Sequence, residues 1–257
     1  PGDDIRYIDW NVTARVNTPY VRQYMEDREI TGWFLLDLSP SVDFGTVHSL
    51  KRDCLIDFVA TMARLLTRHG NRVGAILYDS RIERLIPARG GRLHVLRLIN
   101  DVLRQPRLDH APMTDLNTLI QNGFNAIKRR SLVFIVSDFI STPGWDKPLT
   151  LLARRHEVVV IQLWDPREIE LPDIGLVLLQ DAQTGQQVYV DTHDKKFRLR
   201  FQPAVEKRQA ELDRVFRRAG VDSLPLSTKD DLVRAILELA AMRKQRKSSQ
   251  VKIQPSR

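Results

Sequence analysis

Short, continuous apolar runs set the strongest limit on how this chain can fold. Gly32–Asp37 (GWFLLD), Arg72–Tyr78 (RVGAILY), Leu132–Ser137 (LVFIVS) and Glu157–Leu163 (EVVVIQL) lack the apolar–polar alternation of a half-exposed strand. Runs of this kind belong to strands covered on both faces. Amphipathic segments lie between them. Leu50, Leu55, Phe58, Val59, Met62, Leu65 and Leu66 mostly follow three- and four-residue spacing, with Gly70 after His69 as the helix stop. Leu93–Leu103, Asp115–Lys128 and Asp146–Arg155 read as further helices, followed by a long helix near Pro203–Gly220. A last helix runs from about Lys229 to Arg243, with Ser227 or Thr228 as its cap. Arg81–Ile86 and Val221–Leu226 add strands. The alternation predicts an α/β fold: a doubly wound, mainly parallel sheet with helices on both faces.

One stretch breaks the alternation. Leu176–Gln180 and Gln186–Val190 flank Asp181–Gly185 (DAQTG), the pattern of a β-hairpin inserted near residues 174–191. The expected organisation is therefore an irregular N-terminal arm over 1–30, one domain over 31–243, and a basic disordered tail over 244–257. The 257 residues, 42% of them hydrophobic, suffice for one large core. The formal charge of +8 raises nucleic acid as a partner, but much of the excess falls in Arg243, Lys244, Arg246, Lys247, Lys252 and Arg257. No zinc-finger spacing, ribonucleoprotein motif or aromatic-interleaved basic strand accompanies it. Arg81, Arg84, Arg89 and Arg92 around Gly90-Gly91 read first as a solvated face. Cys54 stands alone, so no intrachain disulfide can form, and the expected compartment is the cytoplasm. The apolar runs are far shorter than the ~20 residues of a spanning helix. The start at Pro1, without an initiator Met, points to further sequence upstream.

The residues that could carry chemistry fall at strand ends. Asp37-Leu-Ser39-Pro-Ser41 sits where the first central strand gives way to its loop, and in open α/β sheets ligands bind beyond the carboxyl ends of strands. Thr114-Asp115 opens a helix, and Ser137-Asp138 closes another central strand. Carboxylates and hydroxyls are the hard oxygen donors that Mg²⁺ takes at about 2.0–2.1 Å, and Mn²⁺ would also suit them. Each piece has a plainer reading: Thr114 as an N-cap, Asp138 as a strand-end turn residue, and the Asp-x-Ser-x-Ser stretch as a stabilised turn.

The order Asp37-x-Ser39-x-Ser41, Thr114, Asp138 resembles the metal-ion-dependent adhesion site of von Willebrand factor A domains. That resemblance implies Ser39 and Ser41 as direct ligands of one divalent ion, and Thr114 as a direct or water-mediated ligand. Asp37 and Asp138 would act largely through water. Pro1–Trp10 (PGDDIRYIDW), Asn11-x-Thr-Ala-Arg15, Val21–Glu29 (VRQYMEDRE) and Leu224–Val233 (LPLSTKDDLV) resemble the signature of a bacterial family catalogued as domain of unknown function fifty-eight. Its members carry a von Willebrand-type domain, and their genes commonly neighbour MoxR-type AAA+ ATPases. The resemblance implies a non-catalytic binding module, an adaptor or co-chaperone for such an ATPase. The bound ion would meet a partner protein's Asp or Glu.

Two alternatives are weighed against that expectation. A Mg²⁺-dependent phosphohydrolase could use Asp37 as nucleophile, but such enzymes place a second Asp two residues on, and here that residue is Ser39. No Gly-x-Ser-x-Gly surrounds Ser39 or Ser41, and no Gly-x-x-x-x-Gly-Lys-[Ser/Thr] loop occurs, so neither an α/β-hydrolase nor an ATPase is expected of this chain. A non-specific nucleic-acid binder is the other alternative.

Overall fold

The computed structural model describes residues 29–46, 49–108, 111–170, 173–180 and 186–251. The family-like signature before residue 29, the hairpin turn at 181–185 and the last six residues lie outside them. The elements are β1 (Thr31–Asp37), α1 (Lys51–Arg68), β2 (Arg72–Tyr78), β3 (Ile82–Arg89), α2 (Arg92–Leu103), α3 (Leu116–Ala126) and β4 (Leu132–Ser137). After them come α4 (Asp146–Arg155), β5 (Glu157–Trp164), the single-turn α5 (Pro166–Ile169), β6 (Leu176–Gln180), β7 (Gln187–Asp191), α6 (Lys195–Ala219), β8 (Asp222–Ser227) and α7 (Leu232–Val251).

Six strands form one sheet in the order β3-β2-β1-β4-β5-β8, parallel except for the antiparallel edge strand β3. The fully apolar runs are its centre, because they alone carry side chains fit to be buried on both sides. Along β1 the side chains alternate between two cores. Phe34 and Leu36 face Leu55, Phe58 and Val59 of α1, Leu98 of α2 and Leu239 of α7. Trp33 and Leu35 face Leu119 and Ile120 of α3, Leu152 of α4 and Phe216 of α6. Helices cover both faces, as the alternation predicts. Gly70 adopts φ 77° just beyond α1, the left-handed stop that glycine supplies without a Cβ penalty.

The sequence reading departs from the structure at several ends. The strand expected at Arg81–Ile86 runs to Arg89, because Pro87 and Ala88 bulge opposite Gly74 rather than ending the pairing. The long helix begins at Lys195, not Pro203, so Pro203 lies inside it, and the added turns carry a Phe197–Phe201 stack. The last helix is capped by Asp231, which accepts from the amides of Val233 and Arg234, rather than by Ser227 or Thr228. It continues to Val251, into the stretch read as a disordered tail, through Arg, Lys and Gln that are good helix formers. The inserted hairpin forms, β6 pairing antiparallel with β7.

Gly74 is the tightest point of the β2–β3 edge. A Cβ there would lie 2.9 Å from Ala88 N, Ile86 O and Trp33 Cζ3, two of them backbone atoms that cannot rotate away. Gly74→Ala is therefore expected to cost about 1–3 kcal/mol. Urea denaturation at neutral pH should show the lower midpoint; an unchanged midpoint would mean the bulge relaxes freely.

Candidate functional site

From β1 the chain builds outward through β2 to β3, then crosses to the other side of β1 with β4. Such a reversal, at the carboxyl ends of β1 and β4, is where open α/β sheets bind their ligands. Asp37 ends one of these strands and Ser137 the other. Their side chains meet: Ser137 Oγ donates to Asp37 Oδ2 at 2.6 Å.

The turn after β1 brings two hydroxyls together beside Asp37. Ser39 precedes a 3₁₀ turn at Pro40–Asp43, whose φ at Pro40 is preset by the ring, and its hydroxyl makes no capping bond. The turn is stabilised instead by Asp37 Oδ1, which accepts the Ser39 amide at 3.1 Å. Ser39 Oγ is left 3.2 Å from Ser41 Oγ. Two oxygens on adjacent positions of one octahedral ion sit about 3 Å apart, given bonds near 2.0–2.1 Å. The spacing of the pair thus fits a shared small cation, with the Asp37 carboxyl beside it on the Ser39 amide.

Asp138 follows β4. Its Oδ1 accepts the Ile140 amide at 3.0 Å, and its main-chain oxygen accepts from Arg208 of α6 at 3.1 Å. The next residue, Phe139, has φ 57°, a left-handed backbone that is costly for a bulky side chain. Its ring is held against Trp145 and Phe216 at 5.3 and 5.1 Å, so aromatic packing fixes the bend that directs Asp138.

Thr114 is not the cap of α3. Asp115 is, accepting from the Asn117 amide at 3.0 Å and the Thr118 hydroxyl at 2.6 Å. The Thr114 carbonyl instead accepts from the Thr142 amide and Ser141 Oγ, both at 2.9 Å, which stitches this loop to the one after β4. The Asp115 amide donates to the Tyr78 hydroxyl at 2.9 Å, and the Tyr78 carbonyl accepts from Leu38 at 2.7 Å. The ends of β1, β2 and β4 and the start of α3 are therefore one connected unit. None of Asp37, Ser39, Ser41, Thr114 and Asp138 is more than 3% exposed. Among the described residues no group of three or more His, Cys, Asp or Glu could hold a metal, so an ion here would depend on hydroxyls.

Burial raises the Asp37 carboxyl to about 6, and the Asp138 charge adds to it; hydrogen bonds from Ser137 and Ser39 only partly offset the rise. Asp79, at the end of β2, is also raised to about 6 by burial, with Arg52 opposing. Its Oδ1 has no hydrogen-bond partner among the described residues.

Sequence reasoning missed the cations around these carboxylates. Lys51 Nζ lies 2.8 Å from Asp138 Oδ2 and 2.6 Å from Glu168 Oε1; Arg52 pairs with Asp43 at 3.0 Å. A signal was present: Lys51 and Arg52 open α1, the positive end of a helix dipole, where cations are disfavoured unless something compensates them. Glu168 is itself fixed, its Oε2 accepting the Asp165 amide at 3.0 Å in a capping box. Asp165 accepts from Thr46 and from Thr228, which places the threonine of the closing LPLSTKDDLV stretch in the same network. Arg81 and Arg84, by contrast, make exposed pairs with Glu83 and Asp101. A cleft of about 480 Å³ adjoins the site, lined by Asp138, Glu168, Arg208, Trp164, Phe201 and Val205 among others.

The family described as a protein of unknown function, DUF58, matches residues 1–211. The chain belongs to that family. Uncharacterized proteins of Mycobacterium tuberculosis and Mycobacterium bovis are each 37% identical to this DUF58 chain over 244 residues, covering 95% of it and 77% of their own length. Its fold is similar to that of BatB from Bacteroides thetaiotaomicron, with TM-score 0.56 and 10% identity over 84% of this chain and 99% of that one. An aerotolerance-related membrane protein from Bacteroides fragilis is comparable, with TM-score 0.54 and 10% identity over 80% and 94%. At that identity the likeness is one of fold. Among the described residues of this DUF58 chain, no helix is long and apolar enough to cross a membrane.

The raised Asp37 carboxyl has a definite consequence for stability. The folded chain holds its proton up to about pH 6, whereas an ordinary carboxyl releases it near 3.8, so folding loses stability as pH rises between those values. The loss is on the order of 2–3 kcal/mol. Asp37→Asn should flatten the decline between pH 4 and 6 relative to wild type, measured as urea midpoints in EDTA. Parallel curves for the two proteins would contradict the buried, protonated Asp37.

Proposed function

We propose that this DUF58 chain is a non-catalytic, metal-dependent protein-binding module, an adaptor or co-chaperone for a MoxR-type AAA+ ATPase. The observation that carries the reading is the Ser39–Ser41 hydroxyl pair, 3.2 Å apart, with no capping bond from Ser39, directly after Asp37 at the sheet's reversal point. Ser39 and Ser41 would hold one Mg²⁺ or Mn²⁺ directly, Thr114 directly or through water, and Asp37 and Asp138 largely through water. Such an ion supplies an electrophilic position that an outside carboxylate can fill. The cleft beside Asp138 is the approach for a partner's Asp or Glu, with Arg208 on its wall to favour negative charge.

A binding role suits Asp37 better than nucleophilic attack. Both its oxygens accept hydrogen bonds, from the Ser39 amide and the Ser137 hydroxyl, and the acid/base position two residues on is Ser39.

Calorimetric titration of Mg²⁺ and Mn²⁺ into metal-stripped protein tests the site. Saturable 1:1 binding is expected, abolished in Asp37→Ala and in Ser39→Ala/Ser41→Ala checked for folding by circular dichroism. Association with a MoxR-type ATPase from the same genome should then require the ion and be lost in EDTA. An association indifferent to EDTA and to both variants would sink the metal-dependent mechanism.

A further inference from the structure

Lys51 is the unusual member of this site. Its side chain is 1% exposed, yet its ammonium bridges Asp138 and Glu168 at 2.8 and 2.6 Å. Burial alone would push its pKa down; the two carboxylates outweigh burial and hold it above the usual lysine range. The stem leaves the first residue of α1, whose amide donates to the Phe44 carbonyl at 2.9 Å, so the helix start fixes where the charge can reach. Glu168 cannot follow a departing lysine freely, because its other oxygen closes the capping box with Asp165. The positive charge is thus built into the acidic site from two sides. Breaking such a pair by removing one partner leaves a buried charge uncompensated, which is costly. A divalent ion that drew on Asp138, directly or through water, would share that carboxylate with an ammonium already 2.8 Å from its Oδ2, so the two cations would repel at close range. Even at an effective dielectric of about 20, that repulsion exceeds a factor of ten in affinity.

We propose that Lys51 is a tethered cation that counterbalances Asp138 permanently, so that the site assembles without requiring an ion and holds a divalent ion more weakly than its oxygen donors alone would. This rests on the metal-binding reading above and adds the residue that sets the strength of that binding. Removal of the Lys51 charge therefore makes the fold lean on the ion.

The test compares wild type with Lys51→Met, which keeps the apolar stem and removes the charge, and with Lys51→Arg, which keeps the charge. Mn²⁺ is titrated calorimetrically, and each protein is melted in EDTA and in Mn²⁺. Lys51→Met should bind Mn²⁺ about tenfold or more tightly than wild type. Its melting temperature should fall in EDTA and recover in Mn²⁺, while Lys51→Arg behaves as wild type. If Lys51→Met does not fold even with Mn²⁺, the double variant Lys51→Met/Glu168→Gln, which removes the ammonium together with one of the two carboxylates it bridges and leaves Asp138 to the ion, carries the same comparison. Wild-type binding that is lost in Asp37→Ala but no tighter without Lys51 overturns this inference and leaves the metal reading standing. No Mn²⁺ binding by any of these proteins overturns both.

Discussion

The pairing of β1 with β4 at the middle of the sheet is the constraint from which the rest of the structure follows. It brings Asp37 within hydrogen-bond distance of Ser137, one hundred residues away in the chain, at the point where the sheet reverses its building direction. The pairing is enforced by side chains with nowhere else to go. Phe34 stacks on Phe134 at 5.3 Å and Phe58 of α1 meets the same ring edge-on at 5.6 Å, so strands and helix share one aromatic contact. A one-residue slip of either strand would turn these rings to the opposite core and separate the two carboxyl ends.

Charge is handled differently at the site than on the surface. The exposed pairs, such as Arg84–Asp101 and Arg234–Glu238, contribute little, because water competes for both partners. Lys51–Asp138 is covered on both sides, where neither charge is tolerated without the other. The helix start that carries Lys51 and Arg52 would be a poor one in isolation, with two cations at the positive end of its dipole. Carboxylates from three other parts of the chain make it acceptable: Asp138 after β4, Glu168 in α5 and Asp43 in the turn before α1. Helix, site and closing segment are therefore mutually dependent, and Thr228 extends the dependence to the end of β8 through Asp165.

Membership in DUF58 and the likeness of fold to BatB fit a chain whose distinctive residues converge at one end of a doubly wound sheet. The features special to this site are local to it. They are a left-handed Phe139 clamped by two aromatic rings, a Ser39 hydroxyl that makes no capping bond, and a buried ammonium on one acid. Strain and buried charge are tolerated where surrounding packing over-determines the geometry, and here Trp145 and Phe216 do so.

Local pattern alone determined the central strands, the helices between them and the inserted hairpin, because a strand buried on both faces and a one-sided helix leave different periodicities in the residues themselves. The residues Asp37, Ser39 and Ser41 were also legible, being near neighbours at a strand end. Boundaries were less so: Pro203 reads locally as a helix start, yet the preceding residues continue the helix. Only tertiary structure decided that Asp115 rather than Thr114 caps α3, since hydroxyl and carboxylate compete for the same amides and their surroundings settle which one wins. Only tertiary structure, likewise, brought Asp138 and Glu168 onto Lys51. Their separations of 87 and 117 residues from their partners carry no periodic signature. A buried ion pair is a property of where two chain segments meet, and that meeting is set by the packing of the whole sheet.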